Sequence, residues 1–104
     1  MCQPSTLVQE KYGIINRCDS CGIMDMTFGN FSLQMSEEDF CMFLAFINSL
    51  CKKYVNRGKN LCRDIKITTK VDNLQLVVCY KELRQLQEMM AEAVLILEAE
   101  QLIK

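Results

Sequence analysis

The chain has 104 residues, 50% of them hydrophobic, with a formal net charge of −1, seven cysteines and no histidine. That is enough apolar material for one buried core, and the charge balance points to no dominant electrostatic partner. The missing histidine removes Ser-His and Cys-His catalytic pairs, histidine zinc ligands and the commonest general base. No apolar run approaches the ~20 residues that span a bilayer. The opening Met1-Cys2-Gln3-Pro4-Ser5-Thr6 has neither the basic nor the apolar segment of a secretory signal, so a cytoplasmic protein is expected. In that setting an odd number of cysteines argues for thiols or a metal site over a disulfide framework.

In chain order, Leu7 to Gln9 and Tyr12 to Arg17 read as two short strands joined tightly, with Gly13 a local weak point. Next comes Cys18-Asp19-Ser20-Cys21-Gly22, a turn in which two thiolates can point at one centre while the glycine lets the backbone fold back. Met24, Met26 and Phe28 then alternate with Ile23, Asp25 and Thr27, Gly29-Asn30 turns the chain, and Phe31, Leu33 and Met35 alternate with Ser32 and Gln34. This hairpin feeds a helix. Ser36 is its N-cap, Glu37 to Asp39 put acid at the positive end of its dipole, and Phe40, Phe43, Leu44, Ile47, Leu50, Cys51 and Tyr54 form one apolar face. Lys52 and Lys53 suit its end near Val55, before the polar turn Asn56 to Asn60.

A second hairpin follows. Ile65, Ile67, Thr69 and Val71 alternate in one strand, Asp72-Asn73 turns, and Leu74, Leu76 and Val78 alternate in the next. The last helix is expected from about Lys81 to Ile103, with Leu83, Leu86, Met90, Ala93, Val94 and Leu97 facing inward. An offset of 43 residues lays one unit on the other without a gap: Met24 falls on Ile67, Leu33 on Leu76, Asp39 on Glu82 and Phe40 on Leu83. The expected fold is α+β, with two ββα units sharing an antiparallel sheet and both helices on one face. It is a single domain: an N-terminal hairpin and cysteine knuckle over 1–22, one unit over 23–55 and the second over 61–104.

Cys2, Cys18, Cys21, Gly22 and the Phe28-Gly29-Asn30 turn resemble a family of uncharacterised small bacterial proteins, found mainly in Bacteroidetes. The resemblance implies a bacterial, cytoplasmic protein and carries no activity.

For the cysteines, the sharpest reading is one structural Zn²⁺ held by four thiolates. Cys18 and Cys21 supply two of them. Cys2 reaches along the first hairpin, and Cys62 sits just before the second hairpin, where the 43-residue offset lands inside the CxxC turn. Cys41 and Cys51 in the first helix, and Cys79 in a strand, read as small hydrophobes. A redox CxxC is the alternative, and it lacks a following helix to lower the thiol pKa.

From Lys52 to Lys70 there are seven basic residues (Lys52, Lys53, Arg57, Lys59, Arg63, Lys66 and Lys70) against Asp64 alone. That stretch is the alternative site for nucleic acid or an anionic ligand, though no aromatic residue is interleaved on the outward strand positions to stack a base. On the last helix Met89, Ile96 and Ile103 recur by seven, and Met42 and Phe46 flank the first helix. These point either to a core that wraps further round or to a homodimer or protein partner. With no catalytic constellation, the composite expectation is a small interaction or regulatory module with a structural metal, and no enzyme.

Overall fold

The structure is a computed structural model and describes residues 4–57, 62–69 and 73–103. It is an α+β fold in the order β1 (Pro4–Glu10), β2 (Gly13–Cys18), β3 (Met24–Phe28), β4 (Phe31–Met35), α1 (Glu37–Lys53), a 3-10 turn (Val55–Arg57), β5 (Ile65–Thr68), β6 (Gln75–Val78) and α2 (Tyr80–Ile103). The first four strands make an antiparallel meander, and β5 and β6 pair only with each other among the described residues.

In the meander, pairing joins Ile15 to Met26 and Met26 to Leu33, which puts these apolar side chains on one face. The opposite face is polar, with the Ser32 hydroxyl donating to Asp25 over 3.0 Å. Such alternation is what a sheet covered by helices on one side and water on the other requires. Gly29 has φ +58° while its neighbour Asn30 does not adopt positive φ, the pattern of a II′ hairpin turn. The Gly29 N–H donates to the Tyr12 carbonyl at 2.9 Å, so this turn is tied to the one between β1 and β2.

Ser36 caps α1 as expected, its Oγ accepting from the Asp39 N–H at 3.1 Å. Three acidic residues fill the first turn, Lys52 and Lys53 the last, and the Tyr54 N–H closes the helix on the Leu50 carbonyl at 3.0 Å. Helix α2 starts differently. Cys79 stands just before it rather than inside a strand, and the Glu82 carboxylate reaches back to accept the Cys79 N–H at 3.0 Å. This is the acidic half of a capping box.

Two expectations about the repeat are corrected. The hairpins do not share a sheet. They share a core, in which Ile65, Ile67 and Val78 cluster with Met24, Met26, Phe40, Ile47, Leu83, Leu86 and Met90. The offset also fails across the second hairpin. Met24 pairs with Met35 and Ile65 pairs with Val78, so β4 and β6 keep the 43-residue spacing whereas β3 maps onto β5 two residues earlier. A shift of two leaves every side chain on its own face and is therefore silent in an alternating pattern.

The two layers come close at Gly13. A Cβ there would lie 2.5 Å from the Thr27 carbonyl oxygen and 2.9 Å from the Met89 sulfur, so α2 rests directly on the backbone of β2.

Candidate metal centre

The cysteine knuckle forms where β2 ends. The Cys18 N–H donates to the Ile23 carbonyl at 2.9 Å, and the Gly22 N–H returns to the Cys18 carbonyl at 2.8 Å. Gly22 closes the turn at φ +75°, a conformation a side chain would strain. Inside the turn the Cys18 Sγ accepts the Cys21 N–H at 3.4 Å and lies 3.2 Å from the Ser20 Oγ. A backbone N–H aimed at sulfur favours the thiolate, the form that binds metal. Cys18 is buried and Cys21 exposed.

Of the other two predicted ligands, one is described. Cys2 lies outside the described residues. Cys62 is exposed. The residue after it, Arg63, lines a recess with Phe28 and Phe31, whereas Met24, opposite Arg17, marks the knuckle end of β3. Among the described residues no three Cys, Asp or Glu side chains are grouped to hold an ion. Of the remaining cysteines, Cys51 and Cys79 are buried and Cys41 is exposed. Burial raises the Cys51 pKa, outweighing the opposing charge of Arg84.

Beside the knuckle is a cluster that sequence reasoning missed. The Arg17 guanidinium lies 2.5 Å from Glu100 of α2, 3.5 Å from Glu37 of α1 and 3.7 Å from Asp19 of the knuckle. Asp19 also accepts the Ser5 hydroxyl at 3.1 Å. Burial lowers the Arg17 pKa, but the Glu100 hydrogen bond and the three carboxylate charges outweigh it and leave the pKa raised. Its Nε is buried without a hydrogen-bond partner among the described residues. The signal was present in the sequence: a lone cation on the inward face of a strand needs carboxylates around it.

The basic stretch is broken up. Arg63 makes a two-pronged pair with Glu82, both contacts at 3.0 Å. Lys52, Lys53 and Lys66 are exposed, with the Lys53 ammonium 5.3 Å from the Tyr54 ring centre. Lys59, Lys70 and the side chain of Arg57 fall outside the described residues. Of the stripe expected on α2, Met89 is 1% exposed against Gly13, Ile96 is partly buried against the core, and the Ile103 side chain is outside the described set. The flank of α1 is open, with Met42 62% and Phe46 36% exposed, and α2 exposes Leu95 and Leu102.

A single-sided antiparallel meander, two covering helices and a CxxCG knuckle at the sheet's end define a small α+β protein with a cysteine turn. The chain belongs to a family of unknown function (DUF6686), whose pattern it matches over residues 1–99. No curated protein and no solved structure matches it. No helix among the described residues is long and apolar enough to cross a membrane.

Proposed function

We propose that this protein is a small cytoplasmic interaction or regulatory module whose N-terminal end is held by a structural zinc ion. The observation that carries the reading is the folded knuckle itself, with an N–H directed at the Cys18 sulfur and a left-handed glycine closing the turn. Cys18 and Cys21 supply two thiolates and Cys2, two residues before Pro4, the third. Cys62 remains the candidate for the fourth, and the position of Arg63 argues against it. A reducing compartment suits such thiols. The interaction role rests on the exposed apolar flank of α1.

Elemental analysis of protein purified without added metal tests the site. The expected result is one zinc per chain, lost together with thermal stability in Cys18→Ser and Cys21→Ser. Cys2→Ser and Cys62→Ser are expected to weaken retention, and Cys79→Ser to leave it unchanged. Metal-free protein with unaltered stability overturns the zinc reading.

A further inference from the structure

The seam between the meander and the second hairpin carries a groove that the core does not fill. Its walls are Leu33 and Met35 of β4 and Met42, Phe43 and Phe46 of α1, with Thr68 on the far bank, and it encloses about 380 Å³. Phe40, Leu44 and Ile47 already bury the inward stripe of α1, so Met42 and Phe46 are apolar surface beyond what the core uses. One such residue would mean little, but two on one helical face beside two more from a strand form a continuous wall.

The strand forming one wall says what fits. Among the described residues β4 is paired on one side only, by β3. Phe28 and Phe31 flank a two-residue turn and are paired, so they exchange hydrogen bonds with each other, and by alternation so do Met26 with Leu33 and Met24 with Met35. The N–H and C=O groups of Ser32 and Gln34 then point away from β3, along the outer edge. An edge of this kind accepts an extended chain, whose backbone supplies matching groups and whose alternate side chains fall on the groove side. A helix has no free backbone groups in its interior to offer, and neither does a lipid tail.

We infer that β4 and α1 form a docking site for an extended segment of another protein. The segment adds as a strand to the β4 edge and places apolar side chains, two residues apart, against Met42 and Phe46. This deepens the interaction-module reading and is independent of the zinc ion, so metal content and docking succeed or fail separately.

The test uses the full chain and an acetylated, amidated nine-residue peptide of alternating valine and threonine with a lysine at each end. Binding is followed by amide chemical-shift changes. Saturable binding below roughly 1 mM is expected, with the largest shifts at Ser32, Gln34, Met42 and Phe46. Met42→Glu, at a position already exposed to water, should keep the native spectrum and weaken binding at least tenfold. N-methylation of the peptide amides that face β4 should abolish it, because the donors are removed while the side chains remain. Three results overturn the proposal. They are no saturable binding, equal binding by the N-methylated peptide or by an amphipathic helical peptide, and a concentration-dependent dimer that Met42→Glu dissociates, which would make a second copy the occupant.

Discussion

The unit β3-β4-α1 enters a sheet that already has two strands, whereas β5-β6-α2 has only its own two-strand ladder of four residues a side. A lone hairpin of that size is marginal in water. The second unit compensates with its helix: α2 runs 24 residues against 17 for α1 and reaches across to β1 and β2. The same alternation and helical spacing thus build one unit stabilised by its sheet and another stabilised by its helix. The first unit can leave a flank of α1 open to water because its sheet does not need it.

If the units are joined by a common core, equivalent positions should cost alike. Phe40 and Leu83, both 0% exposed, are the closest pair. Replacing either with alanine is expected to cost about 3–4 kcal/mol and to unfold the whole chain in one urea transition. An early, separate transition in Leu83→Ala that left the meander native would break the comparison and make the second unit an independent piece.

The contact between α2 and the first sheet comes next in size. Gly13→Ala should cost about 1–3 kcal/mol, because the Thr27 carbonyl is backbone and yields less readily than the tip of Met89. Trimming the methionine in the double variant with Met89→Ala should recover little, since the carbonyl clash persists. Full recovery would show that the helix, not the strand, sets the limit.

The two helix starts give the smallest and sharpest contrast. Ser36→Ala removes a neutral cap and should cost about 1 kcal/mol at any pH. Glu82→Gln should cost less and only while Glu82 is ionised. The Arg63 hydrogen bond is the main influence holding the Glu82 pKa below its usual 4.5, aided by the Cys79 N–H and opposed by burial. A carboxylate with a lowered folded pKa stabilises above its unfolded value, and that contribution is lost as pH falls through the folded one. The difference in melting temperature between Glu82→Gln and wild type should therefore be present at pH 7, shrink from pH 4.5 downward, and fall with added salt because Arg63 is exposed. A difference constant across pH would assign the effect to packing.

Much of the fold was legible in local pattern. Alternation located β3 to within one residue, at Ile23 for Met24, and β4 at Phe31–Met35, and Ser36 with the acidic run marked the start of α1. What pattern could not carry was anything set by register or by which elements meet. The two-residue shift of β5 preserves parity, so the apparent gap-free repeat concealed it. Met89 has the spacing of an outer stripe, and it is buried only because residue 13 is a glycine that lets α2 come down on β2. At the candidate site the knuckle was plain from Cys18 to Gly22, because its hydrogen bonds are local. Placing Cys62 required distances between segments, which spacing does not encode, and the carboxylates around Arg17 come from residues 19, 37 and 100.

Arg17 has one more consequence. Its neighbour Cys18 is paired with Pro4 at the start of β1, and its own guanidinium holds Glu100 in the last turns of α2. The start of β1 and the last turns of α2 are therefore held by adjacent residues of one strand. Sequence order is close to a circle here: a short linker joining the two ends, with new ends opened in the turn after α1, would rearrange the connectivity while leaving every strand pair and both helices where they stand.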